Sequence, residues 1–249
     1  MPENYSPVMN LQQKHCSVRK YKDEPIPEAL LHSIIRSAQC AASTSFMQGY
    51  SVIRVTDPQA RKTIAEAAGG QAWVEEAAEF MVLCADLYRV NEACGKVGLE
   101  ELEGYTEHFL GVMSDIGILA QNIVLAAESV GLGGVFIGGI RNDPQCIVDT
   151  LQLPERVFPA FGLCLGWPDQ ECEVKPRMPL SMILHTDRYH KETVPADLES
   201  YDEVMEAYYR SRSENRKFSN WTAQIANTLQ GKKRKHMLGF LQEQEFLKR

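Results

Sequence analysis

Several common site patterns are missing from this sequence of 249 residues. The seven cysteines (16, 40, 84, 94, 146, 164 and 172) are odd in number, and no two form a Cys-x-x-Cys pair. That argues against a zinc ribbon or a disulfide framework and leaves reduced thiols of the kind found in cores. The six histidines make no His-x-His and no His-Glu-x-x-His, and no Cys/His cluster has ligand spacing. No metal centre is expected from them. The first thirty residues hold no apolar stretch, so no secretory signal is predicted. The most apolar run, 109–127, contains Asp115, Gln121 and Asn122, which suits a buried helix better than a membrane span. A phosphate-binding Gly-x-x-x-x-Gly-Lys-Ser/Thr loop is absent. The glycine cluster that starts at Gly131 fails the dinucleotide pattern, because Phe136 stands where the third glycine would be. It also follows a predicted helix and precedes a strand, the reverse of the required order.

What is present is ordinary globular composition. At 44% hydrophobic and 24% charged residues, the chain can bury a sizeable core. A soluble, cytoplasmic protein is the expectation. The net charge of −7 is unevenly spread. Between 210 and 235, Arg210, Arg212, Arg216, Lys217, Lys232, Lys233, Arg234 and Lys235 face one acid, Glu214, so this segment carries +7 and the rest −14. Such a patch can be a nucleic-acid footprint, a solvated helical face, or a site for a small phosphorylated ligand. The last suits an acidic chain better than the first, since the other surfaces repel a polyanion. No nucleic-acid or membrane partner is expected.

Periodicity predicts helices over 27–41, 58–68 and 99–130, the last apolar nearly all round in its second half, as in the centre of a fold or a subunit interface. Strands are predicted at 51–56, 80–85, 133–139 and 157–167, with 80–85 apolar throughout and therefore covered on both faces. Asp143 caps a helix running to 151. The tail from 198 onward reads as helical and polar. Without strict alternation of strand and helix, the class is α+β, a central mixed sheet surrounded by helices. One domain over 1–249 is expected, with a helical C-terminal extension over about 198–249.

Three short segments carry candidate chemistry. In His15-Cys16-Ser17-Val18-Arg19 a histidine, a hydroxyl and an arginine converge before a turn, which suits clamping of a phosphate and equally suits a plain surface turn. Lys175-Pro176-Arg177 sets two cations about a rigid proline. Ser43-Thr44-Ser45 places three hydroxyls after a helix. Together with the glycines they supply what a phosphorylated heterocycle requires.

Taken in order, His-x-Ser-x-Arg (15–19), Ser-Thr-Ser-Phe-Met-Gln (43–48), Gly-Gly-Gln (69–71), Gly-Leu-Gly-Gly-Val-Phe-Ile-Gly-Gly-Ile-Arg-Asn (131–142), Phe-Gly-Leu-Cys-Leu-Gly-Trp-Pro (161–168) and Lys-Pro-Arg (175–177) resemble the nitroreductase family, on its branch of NADPH-dependent, oxygen-insensitive nitroreductases and flavin reductases. The resemblance runs from about Leu11 to the C-terminus. It implies an α+β homodimer, with the long helix in the interface, FMN between subunits, and two-electron ping-pong transfer from NADPH to nitroaromatics, quinones or free flavin. It implies a flavin site built from His15, Cys16, Ser17, Arg19, Ser43, Thr44, Ser45, Gln71, Phe136, Ile137, Gly138, Gly139, Lys175 and Arg177, with Arg212 and Arg234 gripping NADPH. Cys16 departs from the family, which usually has arginine there. The chemistry then rests on FMN rather than on an acid or base side chain. A cation near flavin N1 and C2=O favours negative charge on the ring, and Arg19 is the candidate. The chief rival is a non-catalytic FMN-binding redox sensor or flavin carrier, against which the basic tail argues, because a carrier needs no nicotinamide-phosphate site.

Overall fold

The computed structural model describes residues 6–212, 217–231 and 233–249. Two compact units make up the chain, one of Met1–Cys172 with Arg234–Arg249 and one of Glu173–Lys233. The first unit runs α1 (Pro7–Gln13), α2 (Glu28–Ala38), β1 (Tyr50–Arg54), α3 (Pro58–Ala67), α4 (Trp73–Glu76), β2 (Glu79–Asp86), α5 (Tyr88–Lys96), α6 (Thr106–Ser129), β3 (Gly133–Ile137), α7 (Pro144–Leu151) and β4 (Val157–Gly166). The second holds α8 (Val194–Ser211) and α9 (Trp221–Gly231), after which α10 (Met237–Glu243) returns to the first.

The sheet order is β1-β2-β4-β3. The sequence predicts a central sheet of mixed direction. Every described pairing is antiparallel instead. The reason lies in what an apolar run reports. β2 is buried at every position, and a strand covered on both faces must be apolar throughout whichever way its neighbours point. The run signals burial, not direction.

Helix α6 packs on α2 and on the sheet strands. It buries Val112, Ile116, Leu119, Ala120, Ile123, Val124 and Ala127 on one side, each larger aliphatic worth roughly 1.5–3 kcal/mol. By length and composition α6 could cross a membrane, but here it is the core helix of the fold. It starts at Thr106, not at 99 as periodicity suggests. Gly104 sits at φ +71, and a Cβ there would lie 2.8 Å from the Glu245 carbonyl oxygen. Lys248 N donates to Gly104 O at 2.9 Å and Thr106 N to Arg249 O at 2.9 Å. The last residues of the chain therefore set where this helix begins.

The same closure corrects the expectation of a polar tail. Phe240, Leu241 and Phe246 are buried in the first unit's core, where Phe246 meets the Phe109 ring and Phe240 the Phe158 ring. Seven residues of helix are too short to display a period. Other boundaries moved little. Asp143 caps α7 as predicted, its carboxylate accepting from Cys146 N at 3.1 Å. The predicted strand 133–139 ends at Ile137 and continues as a 3₁₀ turn, Gly138–Asn142. In the second unit, which begins at Glu173 rather than 198, Tyr201, Met205 and Tyr209 bury one face of α8 at helical spacing, with Met178, Tyr208 and Trp221 against them.

Candidate functional site

Residues 15–22 are stitched to two other segments of the first unit. Val18 N donates to Gly134 O and Lys22 N to Trp167 O, both at 2.9 Å, and Asp169 N donates to Lys20 O at 3.0 Å. The Gln170 side-chain oxygen accepts from Arg19 N and Lys20 N, each at 2.8 Å. Val18 crosses β3 so closely that a Cβ on Gly133 would lie 2.4 Å from its Cγ2. This glycine is required by chain crossing. His15 Nδ1 donates to Glu128, at the end of α6, over 2.6 Å, leaving Nε2 for another partner. The Cys16 thiol is pushed up to about 12, by burial first and then by its hydrogen bond to Cys172. The Arg19 guanidinium stands 5.8 Å from the centroid of the Trp73 ring, a cation–π contact that restrains it.

Trp73 follows Gln71, whose Nε2 donates to Ala68 O at 2.8 Å, leaving Oε1 to accept. The turn holding Gln71 meets the Gly138–Asn142 turn tightly. A Cβ on Gly139 would fall 2.3 Å from both Ala68 O and Gln71 Nε2. Phe136 is 39% exposed and edge-on to Phe161. Ile137 is fully buried, so this predicted site residue exposes neither side chain nor main chain. Onto the same turn comes Arg234, whose Nη2 donates to Gly138 O at 3.0 Å and to Asn142 Oδ1 at 2.9 Å, with Nε on that oxygen at 3.1 Å. Arg141 stands beside it. Burial first, then the Arg234 charge, holds the Arg141 guanidinium below its usual range. Its Nε is buried with no hydrogen-bond partner among the described residues. Two guanidiniums at one turn, partly stripped of water, form a site ready for an anion.

The hydroxyl segment stands with α6. Thr44 N and Oγ1 both donate to Asp115 Oδ1, at 2.8 and 2.9 Å. Ser43 Oγ accepts from Gln48 N at 3.3 Å. Ser45, Phe46 and Gln48 have φ of 48, 56 and 51°, a concentration of left-handed non-glycine residues that is costly and frequent at functional sites. Phe46 projects at 79% exposure.

Lys175, Arg177 and Arg212 belong to the second unit. Arg177 Nη1 donates to Lys175 O at 3.1 Å, and Tyr201 OH donates to Pro176 O at 3.0 Å, which anchors the Lys-Pro-Arg segment on α8. Arg212, at the C-terminal end of α8, has Nε 3.8 Å from Glu173 Oε2 and lies 5.9 Å from the Tyr208 ring centroid. Of the basic run, Arg216 and Lys232 lie outside the described residues, as does Ser213-Glu214-Asn215, read from the sequence as a shortened loop.

The first unit thus joins Arg19 to Trp73, Gln71 to Gly139, Arg234 to Gly138, and Thr44 to Asp115. Sequence reasoning missed Glu128, Trp73, Asp115, Arg141 and Asn142. Two signals could have found some of them. Asp115 is an acid inside an apolar helix, and Arg141-Asn142 is the polar end of the glycine motif. No group of three or more His, Cys, Asp or Glu that could hold a metal occurs among the described residues.

Known proteins resemble this chain over nearly its whole length. Residues 13–167 match the nitroreductase family model and 175–249 the model of the family's C-terminal domain. The chain is 42% identical to an NADPH-flavin oxidoreductase of Vibrio harveyi over 94% of its length and 96% of the relative's. It is 40% identical to an oxygen-insensitive NADPH nitroreductase of Salmonella typhimurium over 96% and 98%. Among solved structures, a B. subtilis nitroreductase superposes with a TM-score of 0.93 at 33% identity, covering 97% of this chain and 100% of that one. The Vibrio harveyi NADPH:FMN oxidoreductase complexed with NAD+ gives 0.88 at 39%, covering 97% and 99%.

Proposed function

The chain belongs to the nitroreductase family, and from that premise we propose that it is an FMN-dependent oxidoreductase that draws electrons from NADPH and delivers them in pairs to nitroaromatics, quinones or free flavin. Relatives named as NADPH-flavin oxidoreductase, oxygen-insensitive NADPH nitroreductase and FMN reductase (NADPH) support the reading. So does the donor set. The main chain of Phe136, Gly138 and Gly139, the Oε1 of Gln71, the Ser17 hydroxyl and the Arg19 cation suit the edges of a flavin. His15, through Nε2, and Lys175 with Arg177 suit its phosphate. FMN, when bound, supplies the hydride and electron chemistry.

The protein's own part is positioning and charge. Arg19, restrained on Trp73, brings positive charge to the ring's polar edge. Thr44, its hydroxyl and N–H bound to Asp115, holds the strained loop from which Ser43 and Ser45 offer hydroxyls. Cys16 contributes its backbone in place of the family's usual arginine. Arg234 and Arg212 are each assigned to NADPH, since an arginine fork meets phosphate oxygens bidentately. The single observation that carries the coenzyme assignment is the pairing of Arg141 and Arg234 at the Gly138–Asn142 turn. The working form is a homodimer in the cytoplasm. On α6 Leu110 and Ile118 are 56% and 46% exposed with Ser114 and Gly117 between them, a stripe that a second copy would cover.

Steady-state oxidation of NADPH with a soluble quinone tests the reading. Rapid, quinone-dependent NADPH loss by the FMN-loaded protein is expected. A yellow protein that binds FMN yet oxidises no NADPH would instead be a flavin carrier.

A further inference from the structure

Glu128 stands where a carboxylate has little reason to be. It lies in the last turn of α6, where the helix's unpaired carbonyl oxygens oppose negative charge. Its side chain is only 11% exposed, which strips it of most of its water. The polar contact it makes is with His15, whose Nδ1 lies 2.6 Å from Glu128 Oε1. Both partners are held by the main chain. Gly131, at φ +88, closes the helix with its N–H on Glu128 O at 3.1 Å. Just beyond, Gly134 O holds Val18 N at 2.9 Å, and His15 N donates to Gln12 O at 3.3 Å. The flanking cation Lys14 is exposed. The imidazole is thus fixed with Nδ1 on the carboxylate.

We propose that Glu128 is a positioning residue, which orients His15 so that Nε2 is left for the ligand and makes the ring a cation able to hold a phosphate. The chemistry follows from donors and acceptors. An ionised carboxylate can only accept, so the contact places a proton on Nδ1. A phosphate oxygen likewise accepts, so Nε2 must bring a second proton to bind one. A ring that bridges two anions is an imidazolium. Glu128 supplies the opposing charge, and its burial keeps solvent ions from screening it. The cost of a dry carboxylate at the wrong end of a helix is offset by the cation it stabilises. The role rests on the reading that His15 faces the FMN phosphate, and it adds the reason that a histidine acts there as a cation.

The test is one of binding and needs no activity assay. Flavin-stripped protein is titrated, by quenching of flavin fluorescence, with FMN and with riboflavin, which has the same ring and no phosphate. Glu128→Gln keeps the size and an acceptor oxygen but removes the charge. It should weaken FMN about tenfold and leave riboflavin unchanged. His15→Asn should weaken FMN at least as much. Adding Glu128→Gln to it should then cost nothing further, since a residue that acts through another has no effect once the other is gone. A measurement on the unsubstituted protein stands even where a variant fails to fold. At about pH 7.5, roughly one unit above the ordinary histidine value, heteronuclear NMR of the FMN complex should show both ring nitrogens of His15 protonated. Unchanged FMN affinity in Glu128→Gln, equal losses for FMN and riboflavin, a full Glu128→Gln effect in the His15→Asn background, or a neutral His15 ring in the complex would overturn the proposal. If His15→Asn meanwhile still weakens FMN alone, the phosphate reading survives. Full FMN affinity in His15→Asn would overturn both, so the two failures are told apart.

Discussion

Arg212 and Arg234 sit near opposite ends of one basic run and look alike in sequence, yet their settings differ. Arg234 is fixed by three hydrogen bonds to Gly138 O and Asn142 Oδ1, next to a second, half-buried guanidinium. Arg212 follows the last turn of α8, where the helix's C-terminal carbonyls favour cations and oppose an incoming anion, and it already faces Glu173. Preorganisation separates the two. A guanidinium already held in place by neutral partners loses little freedom when phosphate arrives, and a second positive charge beside it is relieved by an anion.

The comparison predicts unequal losses. Arg234→Ala removes charge-assisted hydrogen bonds worth roughly 1.5–3 kcal/mol, so kcat/KM for NADPH should fall about ten- to hundredfold while NADH kinetics change little. Equal losses for both coenzymes would reduce the arginine to a structural pin. Gly139→Ala attacks the turn on which Arg234 docks. With a Cβ 2.3 Å from Ala68 O, overpacking should cost roughly 1–3 kcal/mol of stability, read as a lower urea midpoint, and weaken NADPH use in parallel. An unchanged midpoint would mean that the two turns are not rigidly joined. Arg212→Ala should cost at most about 1 kcal/mol, or roughly fivefold in KM for NADPH. A loss as large as that of Arg234→Ala would break the comparison outright. The smallest effect is the response to salt. As ionic strength rises from about 0.05 to 0.5 M, screening of the more exposed charges should raise KM for NADPH modestly in the parent, and Arg212→Ala should lose part of that slope. An identical slope in parent and variant would remove Arg212 from the site.

What the sequence could reveal follows from the range of the forces involved. Local rules were legible: the Asp143 cap, the buried run that became β2, and the strand that became β4. So was the family, because its motifs are short and contiguous. The start of α6 was not, since it depends on Gly104 closing against Glu245 and Lys248. Nor was the apolar end of the chain, where Phe240 and Phe246 find partners at Phe158 and Phe109 far away in sequence. In the site, glycines that looked like ligand contacts were in part chain crossings, Gly133 at Val18 above all. The residues that hold the site residues in place, Asp115 under Thr44, Trp73 beside Arg19 and Asn142 beneath Arg234, speak through tertiary contacts that no single-sequence period records.

The account stands most directly on an anaerobic titration of the purified, FMN-reconstituted protein. One equivalent of NADPH should bleach the flavin absorbance band, and a subsequent equivalent of quinone should restore it, as two separate half-reactions require. A protein that takes up no FMN, or one whose flavin band NADPH leaves unchanged, would contradict the proposed function.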